Sequence, residues 1–450
     1  MGRAIYVSSV NGDDANSGYA PEKAFRSLRK VNQMEIQPGD QILLERGSVF
    51  VGEYLHLYRG GTKEAPVVVD AYGEGALPRI ETDGNGIWYQ NYGGHLDNVV
   101  HIWKGYLSSA VLLYDAEYIS IRNLEITNNP CVQNERLNQA DRMNRTGVSV
   151  IAKNHGTLHE IELDHLYIHD VEGNIYDKHL NNGGIYMSVS RPDDEEKTGI
   201  ARYDGIHIHH CKVENCRRWG IAAGYTYQHD KFTTLELPDE VVKAYGSTNV
   251  VIEHNFVKDI GGDGITPMYC FEPLIQYNVS ENIAVDIHPD LYNEEGNRGG
   301  MTAAAIWPWK CKTALFQYNE VYNTVYNQDG QAWDADSGDG TIYQYNYSCN
   351  NGGGCVMFCE GESVNNIFRY NISQNDGNRH PDPGTKRGCE NLWQHLLYKR
   401  RRGLYPSSDL GRYNDRRRRN RSHRQHYHLR RKRPQRRVLD LQQPQGILSE

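Results

Sequence analysis

One short phrase recurs along the chain and constrains its fold more than any other feature. It alternates apolar and polar residues around a fixed fourth position, which is Leu or Cys early and Asn later. That column comprises Leu124, Leu166, Cys211, Asn255, Asn278, Asn319, Asn346 and Asn371. Its spacings are 42, 45, 44, 23, 41, 27 and 25 residues. The repeating unit therefore has about 25 residues, and the longer intervals are units with insertions or double units.

The alternation within each phrase has the period of a β-strand. A second strand follows a glycine-rich turn in most units, beginning at Gly147, Gly184, Gly220, Gly264, Ala332 and Cys355. The spacing of a leucine-rich repeat is absent, and a propeller blade needs about 40 residues and four antiparallel strands. The pattern predicts an all-β chain that coils as a right-handed parallel β-helix.

The Asn column has a physical reason. A bend between strands leaves backbone groups unpaired, and burying them is unfavourable. Asn tolerates left-handed backbone angles and offers both a donor and an acceptor, so stacked Asn side chains can bond from rung to rung. The sequons at Asn278, Asn346 and Asn371 are therefore predicted to be buried, and Asn144 is the one plausible glycosylation acceptor.

The N-terminal residues have the pattern of a cap. Phe25, Leu28 and Val31 share one face of a predicted helix, and such a helix would cover the open edge of the first rung. We predict a cap and first rung in residues 1–60 and the parallel coil in residues 61–378.

The last residues differ in charge from the rest of the chain. Residues 389–450 hold 17 Lys and Arg against five Asp and Glu, whereas residues 1–388 hold 32 against 52. The repeat also vanishes there. Codons compatible with residues 389–395 can read Val-Lys-Ile-Tyr-Gly-Asn-Thr after a shift of one base, which resembles the rungs. We interpret residues 379–450 as a frameshifted, non-native basic tail rather than a nucleic-acid-binding segment.

The opening of the chain carries a family resemblance. Residues 6–18, Phe25-Arg-Ser-Leu28 and Pro38-Gly-Asp40, together with the Tyr-Asn rungs, resemble secreted bacterial right-handed β-helix proteins of the pectate-lyase-like group. That group includes polysaccharide lyases and β-helical glycoside hydrolases, among them the family that holds α-L-fucosidases and xylanases. The resemblance implies a secreted or periplasmic carbohydrate-active enzyme, although the first residues lack the apolar core of a signal peptide.

Acidic residues concentrate between positions 262 and 362 and provide the catalytic candidates. Asp334 and Asp336 share one face of a predicted strand, Glu360 follows the next strand one rung above, and Asp263 lies about two rungs below. Strands disfavour Asp, which makes the pair at 334 and 336 notable, whereas an Asp after Gly is often a turn residue. Paired carboxylates are what glycoside hydrolysis requires.

Aromatic residues near these acids suggest a sugar-binding surface. The candidates are Trp307, Trp309, Trp333, Tyr269 and His288. The Trp residues can equally be core. His207, His209 and His210 are interpreted as structural.

Three functions remain open at this point. The preferred one is hydrolysis of glycosidic bonds in a polysaccharide or oligosaccharide, with no cofactor and no metal. The second is a Ca²⁺-dependent polysaccharide lyase, whose base would come from Lys310, Lys312, Arg298 or His288. The third is a non-catalytic adhesin or tailspike-like module. No nucleic-acid or membrane partner is expected, and the chain is expected to be a monomer.

Overall fold

The computed structural model describes residues 2–97, 101–130, 143–175, 177–287, 302–359, 363–377, 388–392 and 395–397. These residues belong to one compact unit, Met1–Lys399. Almost all of its regular structure is β-strand. Within the described residues, no helix has the length and apolarity that crossing a membrane requires.

Twelve parallel strands form the first sheet. In spatial order they are β1 (Ala4–Val7), β2 (Gln41–Glu45), β5 (Val67–Tyr72), β9 (Ile119–Arg122), β12 (Thr157–Asp164), β15 (Arg202–His209), β18 (Thr248–Glu253), β21 (Leu274–Gln276), β23 (Leu315–Gln317), β26 (Ile342–Gln344), β29 (Ile367–Arg369) and β31 (Glu390–Leu392).

Eleven parallel strands form the second sheet. They are β3 (Val49–Val51), β6 (Arg79–Glu81), β10 (Glu125–Asn128), β13 (Tyr167–Val171), β16 (Lys212–Cys216), β19 (Phe256–Ile260), β22 (Val279–Ile283), β24 (Glu320–Tyr322), β27 (Tyr347–Cys349), β30 (Ile372–Gln374) and β32 (His395–Leu397).

The third side of the molecule is less regular. It consists of β4 (Leu55–Leu57), β8 (Lys104–Tyr114), β11 (Asn144–Ala152), β14 (Gly183–Val189), β17 (Trp219–Thr226) and β20 (Asp263–Pro267), with β7 (Ile87–Asn91) antiparallel to β8. Parallel bridges through Ile306 and Trp309 continue it to the pair β25 (Gln331–Asp336) and β28 (Gly354–Cys359).

The chain visits the three sides in turn, so each circuit is one rung of a parallel β-helix. The predicted all-β coil of parallel strands is confirmed. Strands β31 and β32 continue the first two sheets beyond residue 378, so at these six residues the backbone follows the coil past the predicted boundary.

The Asn ladder forms as predicted. The Nδ2 atoms of Asn255, Asn278, Asn319 and Asn346 each donate to the Oδ1 of the next Asn, at 3.0, 3.0, 3.1 and 3.0 Å. The left-handed residue of the bend is not the Asn, however. It is the residue before it, as at Tyr318 with φ 57°, because the Asn side chain must point inward to reach its neighbours. Each recurring phrase thus crosses the bend from the first sheet to the second.

The three sequons of the ladder are buried, as predicted, whereas the prediction for the sequon at Asn144 is not met. Asn278, Asn346 and Asn371 are buried. Asn144 is also buried, and its Nδ2 donates to Asp177 Oδ2 at 2.8 Å and to the Leu180 carbonyl at 2.8 Å. The prediction of an accessible acceptor there is wrong, because the residue opens a covered strand rather than lying in a polar insertion.

The strands predicted from Gly147, Gly184, Gly220, Gly264, Ala332 and Cys355 are present as β11, β14, β17, β20, β25 and β28, which begin one to three residues earlier. Gly220 pairs in register with Gly264, and a Cβ on Gly220 would lie 2.5 Å from the Gly264 carbonyl oxygen. Glycine is needed at these positions because neighbouring rungs approach closely.

A capping helix over the first rung is not evident. Helix α1 (Leu28–Asn32) has five residues, and Phe25 lies outside it in a bridge to Val7. The other helices are α2 (Glu195–Thr198), α3 (Asp239–Tyr245) and two 3₁₀ turns, Pro21–Lys23 and His229–Lys231.

Side chains inside the coil form one continuous apolar core. A second apolar layer covers the outside of the third side. It is built from Trp88, Leu107, Leu112, Tyr186, Trp219, Tyr225, Tyr269, Trp307 and their neighbours. This outer layer borders the acidic residues.

Candidate active site

The predicted acidic pair lies on strand β25. Alternation along the strand turns Trp333 and Ala335 into the core of the coil and leaves Asp334 and Asp336 on the opposite, outward face. The register predicted from the sequence is confirmed, since Asp336 pairs with Cys359 of β28. Trp309 bridges Asp336 from the other side. The two carboxyls therefore face the outside of the coil beside an indole.

The carboxyls of Asp334 and Asp336 are close together. One oxygen from each, with the Cys359 sulfur, lie within 4.8 Å of one another. Asp334 is 4% exposed, whereas Asp336 is half-buried. Burial, followed by the charges of Asp336 and Asp329, raises the pKa of Asp334 well above its ordinary value. The site thus pairs a buried carboxyl whose pKa is raised with a more accessible one.

Asp263, a predicted catalytic residue, is fully buried in an ion pair. Its Oδ2 accepts from Arg218 at 2.6 Å, and its Oδ1 accepts from the Trp307 indole at 3.0 Å and the Ala304 backbone at 3.1 Å. The Nζ of Lys178 lies 3.8 Å away. Both oxygens of Asp263 are thus occupied and none of its surface is exposed, and its carboxylate holds the Trp307 indole in place.

The predicted aromatic residues differ in their accessibility. Trp333 is fully buried in the core of the coil, so the prediction that it stacks on a sugar is wrong for the described structure. Tyr269 is also fully buried, and its hydroxyl accepts from the Trp309 indole at 3.0 Å. Trp307 is almost fully buried, whereas Trp309 is half-buried beside Asp336. Trp309 is thus the aromatic side chain best placed to meet a ligand.

Two predicted site residues, Glu360 and His288, lie outside the described residues. The histidines interpreted as structural have carboxylate partners on the first sheet, where His207 Nε2 lies 3.1 Å from Glu253 and His209 Nε2 lies 3.2 Å from Glu162. They lie on a different sheet and on an earlier rung than the acids of β25.

Sequence reasoning missed residues that come from distant insertions. Lys178 precedes β14 by five residues and places its Nζ 4.9 Å from the centre of the Trp307 ring. Asp329, which lies in the acidic stretch between positions 262 and 362, is half-buried and contributes charge to the Asp334 environment. No periodic signal marks Lys178.

Fold and site together are those expected of a carbohydrate-active enzyme built on a parallel β-helix. The comparisons narrow this class. The chain is 43% identical, over 415 residues, to a lacto-N-biosidase of Bifidobacterium longum subsp. longum, a match that covers 83% of this chain and 26% of that protein.

Solved structures point the same way. The chain resembles the crystal structures, native and selenomethionine, of a GH136 lacto-N-biosidase from Eubacterium ramulus, with 53% identity and a TM-score of 0.84. The match covers 88% of this chain and 64% of that one. The chain therefore spans less than two thirds of the relatives it matches. No protein-family model matches the sequence.

Proposed function

We propose that the chain is a glycoside hydrolase that acts on oligosaccharides, with lacto-N-biosides as its substrate class. The observation that carries the reaction type is the close pair of outward carboxyls on β25, one of which has a raised pKa. The substrate class rests on the two lacto-N-biosidases, which are 43% and 53% identical to this chain.

The separation of the carboxyls favours a retaining reaction. Retaining glycosidases place their two carboxyls about 5–5.5 Å apart, and inverting ones about 6.5–9.5 Å. One oxygen of Asp334 and one of Asp336 lie within 4.8 Å of each other, which is compatible with the shorter separation. In this proposal, Asp336 attacks the anomeric carbon as a nucleophile while a neighbouring carboxylic acid protonates the departing oxygen. Water then attacks the covalent intermediate, and the same neighbour removes its proton.

Two residues compete for the proton-donor role. Asp334 has the raised pKa that a general acid needs. Asp329 is more accessible, since it is half-buried while Asp334 is almost fully buried. If Asp329 donates the proton, Asp334 does not contact the substrate. It then acts only as a buried neighbour that influences the ionisation of Asp336. Asp263 and Glu360 remain more remote candidates, and such hydrolysis needs no cofactor.

A chromogenic lacto-N-bioside tests the proposal. Release of nitrophenol, with retention of configuration by NMR at the newly formed reducing end, is expected from the protein. Release should be abolished in Asp336→Asn. Nitrophenolate departs with little help from an acid, so Asp329→Asn and Asp334→Asn are compared on an oligosaccharide lacto-N-bioside, where the variant that removes the acid should lose turnover. Azide should rescue nitrophenol release in Asp336→Gly, whose small side chain leaves room for an external nucleophile. Absence of turnover on this and a broad glycan panel would contradict the proposal.

The same panel separates the two alternatives. An unsaturated uronate absorbance that disappears on chelation would indicate the Ca²⁺-dependent lyase. Binding without turnover would indicate an adhesin. A secreted or periplasmic location, a right-handed coil and a monomeric state belong to the proposal as well, the handedness because parallel crossovers are right-handed in about 98% of cases.

We also infer that residues 379–450 are read in a shifted frame, with the slip between Gln374 and Gly388. The support is the abrupt change from acidic to basic composition and the rung-like text of the alternative frame. Re-reading the DNA tests this directly. An uninterrupted frame without a homopolymer slip would overturn it.

A further inference from the structure

A second cluster of polar side chains lies within the outer apolar layer of the third side. His101 belongs to the connection between β7 and β8, as does Asp97, and His179 belongs to the connection between β13 and β14. The rings of His101 and His179 lie 4.1 Å apart between centroids. One ligand atom from each of the three residues lies within 4.8 Å of the others. Two distant insertions thus meet at one point.

The two histidines are buried without hydrogen-bond partners. His179 is 0% exposed and His101 is 5% exposed. None of the four ring nitrogens has a hydrogen-bond partner in the described structure, although His101 Nδ1 lies within ion-pair distance of Asp97. Buried polar groups are almost always satisfied, and an exception often marks an ion or water that belongs there. Four such nitrogens in a single pair of facing rings require an explanation.

The chemistry of the three side chains suits a cation. A neutral imidazole and an ionised carboxylate are the forms that bind metal.

We propose that Asp97, His101 and His179 bind one Zn²⁺ ion inside the outer layer. Asp97 Oδ1 and His101 Nδ1 are 3.7 Å apart. Two ligands about 2.0–2.1 Å from a tetrahedral zinc are separated by about 3.3 Å, so this pair needs only a small contraction. The His179 ligand atom, within 4.8 Å of the other two, would move closer by at most about 1.5 Å. Two nitrogens and a carboxylate oxygen are a common ligand set for this ion.

The surroundings hold the carboxylate in place. The Tyr225 hydroxyl donates to Asp97 Oδ1 at 2.5 Å, and the Tyr269 hydroxyl lies 3.0 Å from Oδ2. Such outer contacts orient metal ligands. The His179 ring is also 5.8 Å from the Trp309 ring. The ion would join the two insertions to the third side and fix the base on which Trp309 rests, without entering the hydrolytic steps.

A second histidine cluster provides the matched control. Glu162, His207 and His209 also place ligand atoms within 4.8 Å on the first sheet. There the imidazoles already have carboxylate partners at 3.1 and 3.2 Å, so the structure accounts for them without a metal. The control variant is His207→Gln/His209→Gln.

The test measures retained zinc. The purified protein is stripped with a chelator, incubated with Zn²⁺, freed of unbound ion and analysed by plasma mass spectrometry. We expect about one Zn²⁺ per chain in the unchanged protein and in the control variant, and almost none in His101→Gln/His179→Gln. No retained zinc, retention by the buried-site variant, or loss in the control variant would each overturn the proposal.

Two measurements use only the unchanged protein, so their result does not depend on whether a variant folds. Zn²⁺ at about 100 times its Kd should raise the Tm of the stripped protein by about 5 °C. Co²⁺ in its place should give the visible absorption of a tetrahedral site. An unmoved Tm or an octahedral cobalt spectrum would count against the site. Hydrolysis of the chromogenic lacto-N-bioside by the folded, stripped protein should persist, so the two proposals fail independently.

Discussion

Two regions of the coil differ in whether their buried polar groups are hydrogen-bonded. One region is the bend between the first and second sheets, and the other is the third side. At the bend, each ladder Asn accepts from the amide and side chain of one neighbour and donates to the next, as Asn319 does between Asn278 and Asn346. On the third side, Gln331 Oε1, Trp333 Nε1 and Asp334 Oδ1 are buried without a partner in the described structure.

The difference shows where a sequence repeat is enough to satisfy buried polar groups. A repeated residue can satisfy its own copies, so the bend needs nothing from elsewhere in the chain. Unsatisfied groups are costly and persist where function requires them. Asp263 and Asp334 show the same contrast within the third side, because the first has Arg218 as its ion pair and the second has its pKa raised instead.

The largest expected effect is on catalysis. Asp336→Asn should reduce kcat on a lacto-N-bioside at least about 1000-fold, because it removes the more accessible carboxylate of the pair while leaving its size unchanged. The Tm should change little. Glu320→Gln, an exposed acid on the second sheet, is the control and should retain full activity. Full activity in Asp336→Asn would exclude this face of β25 as the site.

The next effect should appear at the bend. Asn319→Ala leaves the Asn278 backbone amide without its acceptor and removes one bond each from Asn278 Nδ2, the Ile275 carbonyl and Asn346 Oδ1. Asn278 Nδ2 still donates to the Ile252 carbonyl, and Asn346 Oδ1 still accepts from the backbone amide of residue 319. We expect a loss of about 3 kcal/mol in the free energy of unfolding, since an orphaned buried group costs about 1–3 kcal/mol and each further lost hydrogen bond about 0.5–1.5 kcal/mol.

Gln317→Ala is the matched control for Asn319→Ala. Gln317 lies on the same rung and makes the same kind of side-chain bond, donating to Gln276 at 2.9 Å, but it is half-buried. Water can replace its partners, so the loss should stay below about 1 kcal/mol. Urea unfolding of both variants measures the contrast. Equal losses would mean that burial does not distinguish the ladder.

The sequence predicted the repeating side of the molecule well and the third side poorly. The Asn column is periodic, so its contacts follow from one rung. The alternation of β25 also sufficed to oppose Trp333 to Asp334, and Trp333 could have been assigned to the core on that ground. Asp97, His101 and His179, in contrast, come from two insertions of unrelated sequence. Their meeting depends on how the insertions fold over the coil, which no local pattern encodes.

A smaller effect should separate stability from catalysis at Asp334. The pKa of this carboxyl is raised in the folded state, so the folded protein binds more protons than the unfolded chain between the ordinary carboxyl pKa of about 3.8 and the raised one. Stability therefore falls as pH rises through that window. Asp334→Asn removes the titration and should raise the Tm by about 2–4 °C above the window, but not below it.

Thermal unfolding at several pH values measures the effect, and Asp336→Asn at the more accessible position provides the comparison. A pH-independent difference between Asp334→Asn and the unchanged protein would contradict the raised pKa. If Asp334 is also the general acid, the alkaline limb of kcat against pH should follow the same ionisation.

The smallest expected effect concerns the aromatic rings beside the ladder. Tyr318 stacks between Tyr277 and Tyr345 at centroid distances of 5.1 and 5.4 Å, and its backbone has φ 57°. Tyr318→Ala should cost about 1 kcal/mol, because stacked pairs contribute about 0.5–1.5 kcal/mol and the rings are partly exposed. Tyr318→Asn loses the same stacking but tolerates the left-handed angle, so it should cost less. Urea midpoints rank the variants. If Tyr318→Ala were as damaging as Asn319→Ala, the stacked rings rather than the ladder would hold the bend.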